Sequence, residues 1–231
     1  KQLLRDYFAA TENCKATLIP FHIYTGEKQE FDIRNGNAGA LLQAIDRLVY
    51  DGGTQLGALD MSRYAYDQLL LFSDGLSTFG KKDLSFSGHP VTAINSSPSA
   101  DYACLKWMAR QSNGRFINLA ARPVEEAVQA LQQLSLQVIS VEADTAAVED
   151  LVYPAEAMLS EGLSFSGKLK KAEAVVTVHL GFGKTITSSR TFTIHQPDST
   201  ESDQVKRLWA TIKISELELQ PEKHKEAITA L

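Results

Sequence analysis

Residues 69–72 form an unbroken apolar run, Leu-Leu-Leu-Phe, which stops at Ser73, Asp74 and Gly75. Such a run is typical of a parallel strand that is buried on both faces. Apolar residues at helical spacing occur on either side of it, in residues 2–11, 40–48, 56–64, 102–111 and 123–134. Short β-prone segments lie between those helices, at residues 16–21, 31–33, 91–94 and 116–117. This alternation predicts an α/β domain over residues 1–135, with a doubly wound, mostly parallel, Rossmann-like sheet.

The pattern changes after residue 135, where apolar and polar residues begin to alternate. Period-two alternation is present at residues 136–141 and 173–180, and residues 185–194 are rich in threonine. These segments predict antiparallel strands with one polar face. We therefore expect a second domain, residues 136–231, that is rich in β-strands.

The last part of that domain returns to helical spacing. A stripe at i, i+3, i+4 and i+7 consists of Val205, Leu208, Trp209 and Ile212. It predicts a helix over residues 202–216, with Trp209 packed in the core. A second short helix is expected from residue 222 to the end, so the β-rich domain should finish in a helical segment.

The charge balance excludes several classes of function. The 231 residues include 23 Lys and Arg and 28 Asp and Glu, which gives a net charge of -5. A nucleic-acid-binding surface requires a basic stripe, and the sequence contains none. No apolar run approaches the roughly 18–20 residues of a membrane-spanning helix. The two cysteines, Cys14 and Cys104, are too few for a disulfide framework and are expected to be buried free thiols.

No enzyme motif is complete in the sequence. Residues 181–185 end like a phosphate-binding loop, but the first glycine of that motif is absent and a Thr-rich strand follows where a helix is required. Residues 162–167 lack the second glycine of a nucleophile elbow. No two of the five histidines are spaced so that they would lie on the same face of a helix. The five are His22, His89, His179, His195 and His224. The sequence therefore predicts a protein that is not an enzyme.

Two loops contain the residue types that bind hard cations. Gly52, Gly53 and Thr54 precede a predicted helix, and Asp74 follows the buried run at residues 69–72. In a doubly wound sheet both loops lie at the carboxyl edge of the strands. Hydroxyl and carboxylate oxygens are the ligands that Mg²⁺ and Ca²⁺ prefer. Two alternatives stay open, namely that Thr54 is a helix N-cap and that Asp74 is a turn residue.

The order and spacing of these loops resemble the von Willebrand factor A domain, across residues 1–135. Members of that family bind a divalent metal at a metal-ion-dependent adhesion site, built from an Asp-x-Ser-x-Ser loop, a Thr loop and an Asp loop. Thr54 matches the Thr position and Asp74 matches the Asp position. The resemblance implies a non-enzymatic adhesion module that binds a protein partner, whose acidic side chain completes the coordination of Mg²⁺ or Ca²⁺.

The second half of the chain extends the resemblance. Residues 150–154, residues 165–169 and the Leu208-Trp209-Ala210 helix resemble the segment after the A domain in inter-alpha-trypsin inhibitor heavy chains and their bacterial relatives. Those proteins have a domain called VIT before the A domain. The resemblance implies that the VIT region of a longer parent is a partner of this chain. It also favours an extracellular or cell-surface location.

One departure from the family limits the metal site. The sequence contains no Asp-x-Ser-x-Ser, which the family carries on its first, central strand before a helix like residues 1–10. We therefore expect that the chain begins after that strand and that Thr54 and Asp74 alone hold a cation weakly or not at all. The alternative is a scaffolding subunit or adaptor of a larger enzymatic or ATPase assembly, in which the metal has no role.

Overall fold

The computed structural model describes residues 1–49, 53–60, 66–77, 90–133, 136–153, 163–182, 185–196 and 203–230. The chain forms two compact units. The first comprises Lys1–Ser87, Thr92–Leu105 and Phe116–Leu134, and the second comprises Gly88–Val91, Lys106–Arg115 and Ser135–Leu231. The predicted domain boundary at residue 135 stays a prediction. No helix in the described part of the chain is both long enough and apolar enough to cross a membrane.

The first unit begins with a helix and an antiparallel pair of strands. Its first elements are α1 (Gln2–Thr11), β1 (Cys14–Leu18), β2 (Gln29–Ile33) and α2 (Gly39–Asp46). Strand β1 pairs with β2 from Cys14 opposite Ile33 to Leu18 opposite Gln29. The turn after β2 uses Asn35 and Gly36, which both have positive φ angles. Predicted helices at residues 2–11 and 40–48 are thus confirmed, although α2 ends slightly earlier than expected.

A three-stranded parallel sheet contains the apolar run from which the fold was predicted. Its strands are β3 (Leu69–Phe72), β4 (Val91–Asn95) and β5 (Arg115–Asn118), in the order β3-β4-β5. All five residues of β4 are buried, as expected for a central parallel strand. The helices that accompany the sheet are α3 (Tyr102–Gln111) and α4 (Val124–Gln132).

The mixed α/β class is confirmed, whereas a doubly wound sheet is not. A doubly wound sheet needs a point where the strand order reverses. The order β3-β4-β5 runs in one direction, and among the described strands β1 and β2 form a separate two-stranded sheet. The reversal therefore stays a prediction for this chain.

Helix α1 contributes to two hydrophobic clusters of the first unit. Leu3 packs in a cluster with Ile94, Ile117, Ala127, Val128 and Leu131. The next residue, Leu4, packs in another cluster with Phe8, Ile33, Ala38 and Leu41. Leu70 of β3 packs against both clusters from a partly buried position. Neighbouring leucines on one helix therefore join the parallel sheet and the β1–β2 pair into one unit.

The predicted helix at residues 56–64 is shorter than expected. A 3₁₀ helix covers only Leu56–Ala58, and Leu59 has extended backbone angles that end it. Residues 61–65 lie outside the described residues, as does Asp51, which the sequence predicts to be in a helix-terminating turn. The strand expected at residues 16–21 is β1, which ends at Leu18. Pro20 has no N–H to donate to a strand partner, which agrees with the earlier end.

The second unit consists of antiparallel strands followed by two helices, as its alternation predicted. The strands are β6 (Gln137–Ala143), β7 (Val148–Val152), β8 (Ser166–Leu169), β9 (Glu173–Phe182) and β10 (Thr185–His195). One sheet has the order β10-β9-β6, and β7 pairs with β8. The helices are α5 (Asp203–Leu217) and α6 (Pro221–Ala230).

The side chains of strand β9 show which face of this sheet is the core face and which is the solvent face. Its buried residues alternate with more exposed ones, because successive side chains of a strand point to opposite faces; they are Ala174, Val176, Val178 and Leu180. Val141 of β6 joins three of them in the core of the unit. Ile194 of β10 packs against the same cluster from a partly buried position, so the strands on either side of β9 share its core face.

Candidate functional site

The loop after β3 has a conformation that depends on its own side chains. Ser73 Oγ accepts a hydrogen bond from Gly75 N at 3.0 Å, and Asp74 Oδ1 accepts one from Leu76 N at 3.0 Å. Gly75 has a φ of 75°, and a Cβ at this position would lie 2.7 Å from the backbone oxygen of Asp101. Only glycine adopts this conformation so close to another backbone without strain. The loop therefore presents the Asp74 carboxylate at the carboxyl end of β3.

Ser77 brings the Thr54 segment beside this loop. Its Oγ accepts a hydrogen bond from Leu56 N at 3.3 Å and donates one to Thr54 O at 3.5 Å. The two loops that the sequence singled out are thus adjacent in the first unit. Metal binding by Thr54 and Asp74 stays a prediction.

The structure supports one of the two alternative roles and not the other, namely a turn residue for Asp74 but not an N-cap for Thr54. Gln55, rather than Thr54, occupies the N-cap position of the 3₁₀ helix, and no side-chain hydrogen bond caps it. The hydrogen bond from Leu76 N shows that Asp74 does shape its own turn, through Oδ1. In the described part of the chain, the second oxygen, Oδ2, accepts no hydrogen bond. The turn role therefore leaves one carboxylate oxygen of Asp74 available.

Asp101 is a second acidic residue at this edge, which the sequence patterns did not indicate. Its N–H donates to Asp74 O at 2.7 Å, and its Oδ1 accepts a hydrogen bond from Cys104 N at 2.9 Å in the first turn of α3. An Asp immediately before a helical pattern indicates an N-cap, but nothing in the sequence places that cap beside Asp74. Neither Asp74 nor Asp101 forms an ion pair with any described residue. Two exposed, uncompensated carboxylates make this edge attractive to a cation.

The neighbouring loop, after β4, is held by a buried amide. Asn95 is 3% exposed, and its Nδ2 donates to Ser97 O at 2.7 Å while its Oδ1 accepts from Ser97 N at 2.8 Å. Asn95 O also accepts a hydrogen bond from Leu119 N at 2.7 Å. Every polar group of this amide side chain is thus used to fold the loop that borders the Asp74 edge.

The side chains at this edge supply some, but not all, of the oxygen ligands that a hard cation needs. Thr54, Asp74 and Asp101 supply hydroxyl and carboxylate oxygens, the ligand chemistry of Mg²⁺ and Ca²⁺. Those ions take six or more oxygen ligands, so three side chains cannot complete a coordination shell. No group of three or more His, Cys, Asp or Glu side chains with metal-binding geometry occurs among the residues that the structure describes. Water or a partner would have to supply the remaining oxygens.

A polar row crosses the solvent face of the second unit's sheet, and no sequence pattern indicated it. His179 Nδ1 lies 2.8 Å from Ser189 Oγ, and His179 Nε2 lies 3.6 Å from Glu142 Oε2. The register sets this row, because Ser189 and Ser140 are both opposite His179. A β-bulge interrupts each outer strand next to these pairs. The row offers a hydroxyl, an imidazole and a carboxylate on an open sheet face, where they stabilise the contact between strands.

Comparison with known proteins does not assign the chain to a family. No protein-family model matches the sequence, and no curated protein matches it. Its function must therefore be inferred from its own residues and their arrangement.

Proposed function

We propose that this chain is a non-enzymatic protein-binding module whose binding surface is the edge around Thr54 and Asp74. The observation that carries the proposal is the pair of Ser77 hydrogen bonds, which draws the Thr54 segment alongside the Asp74 loop. A surface at the carboxyl ends of parallel strands is also the usual position of ligand sites in α/β proteins. The resemblance to the A domain provides the class of ligand.

The chemistry of the proposed surface is divalent-cation bridging. A Mg²⁺ or Ca²⁺ ion held by Thr54 and Asp74 would retain net positive charge, because a single carboxylate neutralises only half of it. An acidic side chain of a protein partner would then complete the coordination. The parent protein would add further ligands and its VIT region, and an extracellular or cell-surface location belongs to the same proposal.

The second candidate function is a scaffolding subunit or adaptor without a metal. It is favoured by the hydrogen bond from Leu76 N to Asp74 Oδ1, since a turn residue needs no cation to explain it. In this case the edge would bind its partner directly, and removal of divalent cations would leave the complex intact.

Titration calorimetry with MgCl₂ and CaCl₂ distinguishes the two candidates. We expect weak, saturable binding to the wild-type chain, with a dissociation constant of about 10⁻³ M, as in low-affinity extracellular calcium modules. Asp74→Ala should abolish it. Asp67→Ala is the matched control, because Asp67 is exposed and lies before β3 rather than after it.

Each outcome of the titration favours one of the two candidate functions for the edge around Thr54 and Asp74. Loss of binding in Asp74→Ala but not in Asp67→Ala supports the cation-bridging function. Binding that survives both substitutions, or no binding to the wild type at any concentration, contradicts it and favours the scaffolding function. Micromolar binding to the wild type would contradict the expectation that the site is incomplete.

A further inference from the structure

Strand β10 forms an edge of the second unit's main sheet. In the described part of the chain it pairs only with β9, in the order β10-β9-β6. It has 11 residues, and all of them except Ile194 are exposed. The outer edge of such a strand presents a row of unpaired N–H and C=O groups, which can pair with another strand. The length and exposure of β10 make it an open surface for strand addition.

This edge has few of the features that prevent strand pairing. Natural edges are protected by lysine, proline, bulges or short length. Strand β10 contains neither lysine nor proline. Its single residue with a permanent charge is Arg190, which is opposite the buried Val178 and therefore on the core face, where a charge gives the edge some protection. Its bulge lies between Ile186 and Ser188, so the register with β9 is regular from Ser188 to His195. That regular stretch is rich in threonine and apolar residues with a high preference for strands.

The core face of the sheet is incompletely covered at this edge. Phe192 of β10 lies directly opposite Val176 of β9, so both side chains are on the same face. Val176 is fully buried, whereas Phe192 is 48% exposed. The Phe165 ring is Phe192's aromatic neighbour, at 6.3 Å between centroids. Another strand beside β10 would cover the remaining exposed part of Phe192.

The sequence of β10 can pair with itself in an antiparallel register that places favourable residues opposite each other. With a two-fold axis at Thr191, Arg190 of one copy faces Phe192 of the other, and Ser189 faces Thr193. Arg–aromatic and hydroxyl–hydroxyl pairs between opposite residues are favourable. An axis at Arg190 would instead place two guanidinium groups opposite each other, which is unfavourable. The charge pattern therefore favours an axis at Thr191 over one at Arg190.

We propose that the β10 edge binds the β10 edge of a second copy of this chain, antiparallel and with the two-fold axis at Thr191. The result is a continuous six-stranded sheet with strands β6, β9 and β10 from each copy. A single strand pair covers less surface than the ~1,600 Å² of a standard interface. The dimer is therefore weak and concentration-dependent. The proposal goes beyond the metal edge, because it uses neither Thr54 nor Asp74.

Sedimentation equilibrium of the 231-residue chain over a wide concentration range tests the dimer. Thr191→Lys places two ammonium groups opposite each other at the axis, and we expect the dimer dissociation constant to rise about tenfold. Val175→Lys is the matched control. It adds the same charge to an exposed position of β9, paired with Thr193, one strand away from the edge. Its dissociation constant should remain within about twofold of the wild type.

Oxidative cross-linking tests the register independently of affinity. Residues opposite each other in antiparallel strands have Cα atoms about 4.5–5.5 Å apart, within the range of a disulfide. Thr191→Cys should therefore form a covalent dimer. Ser189→Cys should not, because its two copies would be about 13 Å apart at ~3.3 Å per residue. The wild type measures the background from Cys14 and Cys104.

The proposal is supported if Thr191→Lys alone weakens the dimer and Thr191→Cys alone is cross-linked above background. It is overturned if the chain is monomeric at every concentration or if both lysine variants have the same effect. It is also overturned if Ser189→Cys is cross-linked as well as Thr191→Cys. Circular dichroism of each variant verifies that the sheet is retained. Should Thr191→Lys lose the sheet, the cross-linking result decides.

Discussion

Trp209 Nε1 donates a 2.9 Å hydrogen bond to the backbone oxygen of Asp150, which connects α5 to β7 within the second unit. Asp150 has a positive φ of 52°, at an irregularity of β7 between Glu149 and Val152. The Lys168 ammonium lies 5.4 Å from the centroid of the Trp209 ring and 2.9 Å from the Asp150 carboxylate. The tryptophan is therefore half-buried and polar in its contacts, and the expectation that it packs in the core was wrong.

Trp209→Phe should destabilise the chain by about 1 kcal/mol, because it removes one hydrogen bond and leaves the Asp150 oxygen without its donor. Urea denaturation measures the change. Leu208→Ala on the same helix is the control, since Leu208 is 46% exposed and surface substitutions usually change stability by about 0.5 kcal/mol or less. Equal stability of Trp209→Phe and the wild type would show that the hydrogen bond contributes nothing.

Lys168 and Asp150 shift each other's proton affinity. The hydrogen bond from Lys168 and its charge lower the pKa of the Asp150 carboxyl, and the same pair raises the pKa of the Lys168 ammonium. The lowered pKa of Asp150 contributes stability above the usual carboxyl pKa, which is lost as pH falls through the lowered value. The raised pKa of Lys168 contributes stability below the usual lysine pKa, which is lost as pH rises through the raised value. The pair is therefore stabilising around neutral pH.

Lys168→Met should raise the pKa of Asp150 towards its ordinary value, as followed by NMR titration of the carboxyl. Lys171→Met is the control, because Lys171 pairs with Asp144 at 3.2 Å and not with Asp150. The pKa of Asp144 should rise only modestly in that control, since the Ala146 N–H is the larger cause of its lowered value. A pKa of Asp150 that is the same in Lys168→Met and the wild type would contradict the assigned ion pair.

Ser77→Ala should expose the Leu56 amide to exchange, because Ser77 Oγ accepts the hydrogen bond of that amide. We expect hydrogen exchange at Leu56 N–H to accelerate about fivefold, the equivalent of ~1 kcal/mol. Ser73→Ala is the control, since it removes the acceptor of Gly75 N–H and leaves the Leu56 contact intact. If Leu56 exchanges at the wild-type rate in Ser77→Ala, the two loops are not joined by this residue.

Local patterns predicted the elements of this protein well, for reasons that are visible in the structure. The run at residues 69–72 became parallel strand β3, and the alternation of Ala174, Val176, Val178 and Leu180 became the core face of β9. The alternation in β9 reflects burial of one face, which side-chain polarity records directly. The expected burial of β3 on both faces was wrong, because only Leu71 of that strand is buried and Phe72 is 43% exposed. The early end of the helix after Gln55 was not predicted, because its extended backbone at Leu59 has no compositional signature.

The site was predictable only in its most local part. Asp74 and Thr54 were proposed because each lies next to glycine in a loop beside an apolar segment, and their role in a site stays a prediction. Asp101 and His179 were not recognised as neighbours of Asp74 and Ser189, because strand register and loop packing set these contacts. Residues distant in sequence carry no local mark of their contact.

The sequence by itself determined the mixed α/β class, the antiparallel character of the second half and the two loops worth testing. Those properties depend on polarity and periodicity, which each segment carries alone. Only the tertiary structure decided that Ser77 joins the Thr54 segment to the Asp74 loop, that Trp209 bonds to Asp150 and that β10 lies at a sheet edge. Each of these depends on which distant segments pack together, and that choice is made by the free energy of the whole unit rather than by any one segment.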